Sequence, residues 1–243
     1  LILIFSNEGK TEGVKMHIER LDFENSPYLG VFGLATDKFA LVREGLQEKK
    51  LAVLREVLKV PLIETSIMKS RIVGIFAAAN SRAVVVPYYI WDAELDKIKT
   101  SLQENGSDII IEPVLSKLTA FGNLILVNDK AALVSAKFTR EEAKQFEDIF
   151  DVEVERGIIA NYHAVGSVGV VTNKGGLVHP EATDEELEWL EGLFKVDFYV
   201  GTANMGVPFV GSCMIANSFG VVVGHLTSGP EIVKIEEALG FLG

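Results

Sequence analysis

The sequence predicts an α/β fold closed into a ring of five like units, and three observations predict it. The stretch FGNLILVNDKAALVS at 121–135 returns four more times, as LGVFGLATDKFALV from Leu29, VGIFAAANSRAVVVP from Val73, VGSVGVVTNKGGLVHP from Val165 and VGSCMIANSFGVVVG from Val210. Each copy reads as glycine, a short apolar run, an Asx residue with a small or polar tail, and a second apolar run, which is a β-hairpin signal. A helical stripe and a short strand follow most copies, so the repeat is one hairpin, helix, strand unit. Finally, the grammar is displaced by one element. The last copy lacks its closing strand, and an orphan strand stands at the start. Pairing the two closes the ring and removes exposed sheet edges.

The leading glycines are Gly30, Gly74, Gly122, Gly166 and Gly211, and the turn residues read as Asp37, Asn80, Asn128, Asn173 and Asn217, in steps of 43 to 48 residues. The glycines read as strand starts where one backbone approaches the next around the ring axis. Residues 1–15 lie outside the repeat, begin without methionine and precede Met16, so they are expected not to belong to the fold. The domain is expected to run from 16 to 243, with units near 28–70, 71–117, 118–163, 164–206 and 207–243 plus the strand at 17–23.

In His17–Phe23, polar and apolar residues alternate, so Ile18, Leu21 and Phe23 can face inward. In the first unit Leu51, Leu54 and Leu58 fall at helical spacing, ahead of a strand at 60–67. In the second, a helix from Asp92 carries Leu95, Ile98 and Leu102, and 108–112 reads as a buried strand. In the third, Thr139 and Glu142 make a capping box before Ala143, Phe146 and Phe150, with a strand at 152–155. The fourth repeats this with Thr183, Glu186, Leu187, Leu190 and Phe194 and a strand at 196–200. The fifth has Ser228, Glu231, Ile232, Ile235 and Leu239.

Composition excludes several function classes. The net charge is -11, which opposes nonspecific phosphate binding, whereas a basic protein partner is easily accommodated. No apolar run reaches the eighteen or so residues of a membrane span, so the chain is expected to be soluble and cytoplasmic. A single cysteine, Cys213, allows no internal disulfide, and the four histidines are dispersed without metal-ligand spacing. NKGG at 173–176 lacks the spacing of a phosphate loop. No cofactor or metal is expected.

Several segments carry a family likeness: FEN at 23–25, AFGN at 120–123, ND at 128–129, VGSVGVVTNKGGLVHP at 165–180, GTAN at 201–204 and SGPE at 228–231. On these the chain resembles, over nearly its whole length from Met16, the translation initiation factor 6 family of archaea and eukaryotes, and its lack of a polar tail is similar to the archaeal branch. The resemblance implies a five-bladed α/β propeller, the pentein fold, and a non-enzymatic, monomeric ribosome anti-association factor with a role in large-subunit maturation. The implied partner is the large subunit's intersubunit face, through ribosomal proteins near the sarcin-ricin loop, with release by a translational GTPase and a Shwachman-Bodian-Diamond-type maturation protein. The implied mechanism is steric: a rigid ring covering roughly 800 Å² per partner blocks docking on the same surface.

Residue by residue, the resemblance points to Asn123 in AFGN and to Ile72 and Ile75 around Gly74 as ribosome contacts. Repeat equivalence extends this to Ser167 and Ser212, which also follow motif glycines. The alternative from another class is a pentein amidinohydrolase or amidinotransferase with Cys213 as nucleophile and His225 or His179 as base. It requires an activated thiolate in a central cavity, whereas Cys213 lies in the apolar run SCMIAN.

Overall fold

The computed structural model describes residues 17–105 and 108–242. The segment 1–15, expected to stand apart, lies outside the described residues. Strand β1 (Ile18–Leu21) comes first and alone. Unit one is a 3-10 turn (Leu29–Val31), β2 (Gly33–Ala35), β3 (Ala40–Arg43), α1 (Glu48–Leu58) and β4 (Leu62–Thr65). Unit two is α2 (Val73–Phe76), β5 (Ala78–Ala79), β6 (Ala83–Pro87), α3 (Asp92–Glu104) and β7 (Ile110–Val114). Unit three is α4 (Phe121–Leu124), β8 (Ile125–Val127), β9 (Ala131–Ser135), α5 (Arg140–Phe150) and β10 (Glu153–Gly157). Unit four is α6 (Val165–Val168), β11 (Gly169–Val171), β12 (Gly176–Val178), α7 (Asp184–Phe194) and β13 (Phe198–Val200). Unit five is α8 (Val210–Cys213), β14 (Met214–Ala216), β15 (Val221–Gly224) and α9 (Gly229–Ala238).

Each unit builds a three-stranded sheet: an antiparallel hairpin, then a parallel strand added outside its second arm. The fifth sheet is completed by β1, which runs parallel to β15 with Ile18 opposite Val221 and Leu21 opposite Gly224. The first and last segments therefore close the ring, as the displaced grammar requires. Every middle strand is buried on both faces. That is why these runs are continuously apolar and do not alternate. The long helices lie outside the sheets.

The core is divided into five clusters, each shared between neighbouring units. Leu126, Ala131 and Leu133 of unit three pack with Leu190, Leu193 and Phe194 of unit four. The closing cluster joins Ile215 and Val222 of unit five to Leu51, Leu54 and Leu58 of α1. No unit buries its apolar face alone, so the ring holds only as a whole.

Two local readings change. The motif glycines are not strand starts. Each lies within a single helical turn that precedes the first strand, a 3-10 turn in unit one and an α-helical turn in the other four, closed in unit two by Ala77 N–H to Val73 O. In units one and four the residue that makes the hairpin turn is Thr36 or Thr172, one position before the expected Asp37 and Asn173. Thr36 Oγ1 accepts from Lys38 and Phe39 N–H, and Thr172 Oγ1 from Lys174 and Gly175 N–H. Asn80, Asn128 and Asn217 do the same with Oδ1.

Candidate functional site

The five helical turns surround one end of the ring axis. A Cβ added to any motif glycine would come under 3.0 Å from the carbonyl oxygen of the preceding unit's motif glycine: Gly74 against Gly30, Gly122 against Gly74, Gly166 against Gly122, Gly211 against Gly166 and Gly30 against Gly211. The cycle closes on itself. Only glycine permits this approach, which clamps the backbone of this end.

The residue after each glycine occupies an equivalent place. Ile75 N–H donates to Ile72 O, Asn123 to Ala120, Ser167 to Ala164, Ser212 to Phe209 and Val31 to Tyr28, at 2.9 to 3.3 Å. Ile75, Asn123, Ser167 and Ser212 thus form one set, and its fifth member, Val31, went unrecognised although the repeat marks it through Gly30. Ile72 belongs to a second set two positions before the glycine, with Tyr28, Ala120, Ala164 and Phe209. Asn123, Ser212, Ile72 and Ile75 are half-buried, and Ser167 is buried. Among the described residues the Asn123 side-chain amide has no hydrogen-bond partner within the chain, and no buried side-chain polar atom is left without one. Its polar atoms therefore face solvent.

The rim around these turns is fixed by the glutamates of the helix starts. Glu94 accepts from Trp91, Met68 and Lys69 N–H and from Ser66 Oγ. Glu186 accepts from Thr183 and Ala160 N–H, and Glu142 from Thr139 N–H and Ser116 Oγ. Glu231 accepts from Ser228 N–H and Oγ, Met205 and Gly206 N–H and Thr202 Oγ. Sequence patterning identifies Glu142, Glu186 and Glu231 as capping residues but not Glu94; that all four also reach back to the preceding turn could not be read from one segment. At Ser228 the hydroxyl also donates to the Glu231 carboxylate. Burial pushes the Glu231 carboxyl up, but its hydrogen bonds outweigh this and hold it down at about 2. In unit one the polarity is reversed: Lys50 stands at the glutamate's place, and its Nζ donates to Asp22 O and Oδ1.

The axis behind this mouth holds a cavity of about 110 Å³, lined by the motif glycines and by Leu34, Ala78, Ile125, Val170 and Ile215 among other small and aliphatic residues. Among the described residues no titratable side chain lines it. The enzyme alternative requires an activated thiolate in that cavity, and Cys213 is not part of its lining. Cys213 is buried in the apolar cluster with Leu177, Val210 and Ile235, and burial pushes its thiol up to about 11. A protonated thiol is no nucleophile. His225 is exposed on the loop after β15, and His179 packs on Tyr162 and Phe209 while its Nδ1 accepts from Glu181 N–H. No cluster of metal-ligating side chains occurs among the described residues.

The ring thus combines a clamped backbone with partly exposed side chains at one mouth and an axis lined by small and aliphatic residues. The eIF-6 family model matches residues 18–238. Translation initiation factor 6 of Thermococcus onnurineus is 81% identical over 227 residues, covering 93% of this chain and 100% of that protein. The factor of Pyrococcus horikoshii is 72% identical with the same coverage, and that of Methanocaldococcus jannaschii 46% over 226 residues, 93% of this chain and 99% of that protein. The chain belongs to the eIF-6 family of translation initiation factors and is not an enzyme. A solved dimethylarginine dimethylaminohydrolase adduct with S-methyl-L-thiocitrulline matches at a TM-score of 0.46 and 12% identity, over 71% of this chain and 68% of that one.

Proposed function

We propose that this factor binds the intersubunit face of the large ribosomal subunit through its glycine end and keeps the small subunit away by occupying the surface on which it docks. The observation that carries this reading is the ring of residues after the motif glycines, in which Asn123 holds a solvent-facing amide on a closely packed backbone. A preorganised surface loses little freedom on binding, and a rigid blocker requires no moving part. Asn123, Ile72, Ile75 and Ser212, with Val31, form the contact set; Ser167 contributes at its accessible edge. The charge of -11 favours encounter with basic ribosomal proteins near the sarcin-ricin loop over bare RNA.

By family resemblance, the factor also takes part in large-subunit maturation, and a translational GTPase with a Shwachman-Bodian-Diamond-type protein releases it. Its place of action is the cytoplasm, and among the described residues no helix is long and apolar enough to cross a membrane. Sucrose-gradient sedimentation with purified subunits, followed by a joining assay, tests the proposal. The factor is expected to travel with the large subunit alone and to suppress joining. Co-sedimentation with neither subunit at low salt would end it.

A further inference from the structure

The rim of the glycine end breaks the five-fold repetition in one sector. In four places the turn ahead of the glycine segment is closed by a bridge: Phe23 with Ser26, Ile67 with Ser70, Ile159 with Tyr162 and Ala203 with Val207. The residues at those turns are left-handed, in the pairs Glu24 and Asn25, Met68 and Lys69, Ala160 and Asn161, and Asn204 and Met205. The corresponding segment of unit three, 115–119, has neither feature among the described residues.

A second departure lies beside it. Helices α5, α7 and α9 begin on Thr139, Thr183 and Ser228, whereas α3 begins on Trp91. An indole N–H can donate but not accept, so tryptophan makes a poor cap. The same loop exposes Tyr88, Tyr89 and Trp91 by 58%, 61% and 53%, next to Leu115 at 63%. Tyr88 N–H donates to Val114 O at 3.0 Å, which holds the two loops side by side. Together they form an open groove of about 720 Å³ whose walls include Tyr89, Leu115, Leu118, Lys117 and Lys137. Both lysines are exposed, on a chain whose net charge is -11. Among the described residues the groove's lining has one carboxylate, Glu142, which is held by Thr139 N–H and Ser116 Oγ.

We propose that this groove docks an extended acidic segment of a partner protein carrying a large apolar anchor. Tyr89, Leu115 and Leu118 take the anchor, and Lys117 and Lys137 pair with flanking carboxylates. Charge complementarity selects an anionic occupant, and the apolar floor selects peptide over nucleic acid. Base stacking fits less well: Lys69 Nζ already sits 3.5 Å over the Trp91 ring, and Tyr88 meets Tyr89 edge-on at 5.8 Å. The inference does not depend on the ribosomal reading.

Fluorescence anisotropy with the whole chain tests it, using four labelled probes. They are an Asp/Glu-rich dodecapeptide with a central Leu-Phe pair, the same peptide with Ser-Ser, a Lys-rich version of the first, and a single-stranded RNA of similar length. The first probe is expected to bind, more weakly as salt rises. Replacing its anchor is expected to weaken it at least about tenfold, and so are K117E with K137E and, separately, Leu115→Ser. These side chains are exposed, so thermal midpoints should hold, and Leu115→Ser remains decisive if the charge reversal disturbs the fold. Binding of no probe, tighter binding of the RNA, or binding of the first probe unchanged in the variants would overturn the proposal.

Discussion

The two ends of the ring solve the same packing problem differently. At the glycine end the backbone is clamped by the cycle of glycines, and of the side chains that follow them Val31, Ile75, Asn123 and Ser212 stay partly exposed. At the hairpin end the side chains do the joining. Asn217 Nδ2 donates to Thr36 O and Leu58 O, Asn128 Nδ2 to Thr172 O and Phe194 O, and Asn80 Nδ2 to Phe150 O. Leu58, Phe150 and Phe194 end helices α1, α5 and α7, so these amides satisfy terminal carbonyls of the next unit. At the tips, Ser81 N–H donates to Asp129, Asp129 N–H to Asn173, Asn173 N–H to Ser218 and Ser218 N–H to Asp37, in one direction around the ring. Polar groups committed to neighbours cannot recognise a partner. The difference teaches where recognition can be built on a symmetric scaffold.

The sharpest way to break this comparison is Gly122→Val. A Cβ there meets the carbonyls of Gly74 and Ala77, so the variant is expected to lose about 3 kcal/mol or more in chemical denaturation. A near-neutral result would show that the glycine end is not clamped. Asn217→Ala comes next: it orphans two buried carbonyls and two turn N–H groups and is expected to cost about 2 kcal/mol by the same measurement.

A smaller effect concerns the rim. The folded Glu231 carboxyl sits at about 2 against an ordinary 4.5, so its contribution is complete above pH 4.5 and is lost as pH falls toward 2. Urea midpoints of wild type are expected to fall more steeply through that window than those of Glu231→Gln; parallel slopes would remove the carboxylate's role. The least effect on stability is expected for Asn123→Ala, within about 0.5 kcal/mol, because no partner in the chain is lost.

Much of the ring was legible in one sequence because its physics is local and repeated. The glycine spacing marks the units, and the orphan strand before the first unit marks the closure. What stayed hidden depends on neighbours in space. Asp37 and Asn173 look like turn makers, yet a threonine one residue earlier makes the bond and frees them to bridge tips. Asn123, Ile75, Ser167 and Ser212 could be grouped by repeat position, but Val31 carries no polar signal. The exposure of Leu115 and Trp91 leaves no mark in the periodicity of the sequence.

The two ends can be set against each other directly by measuring large-subunit binding and inhibition of subunit joining for wild type, Asn123→Ala and Ser81→Ala, all checked for equal thermal midpoints. The glycine-end account predicts that Asn123→Ala weakens binding at least about tenfold and releases joining in proportion, while Ser81→Ala behaves as wild type. Undiminished binding by Asn123→Ala together with lost binding by Ser81→Ala would place the docking surface at the opposite end and contradict it.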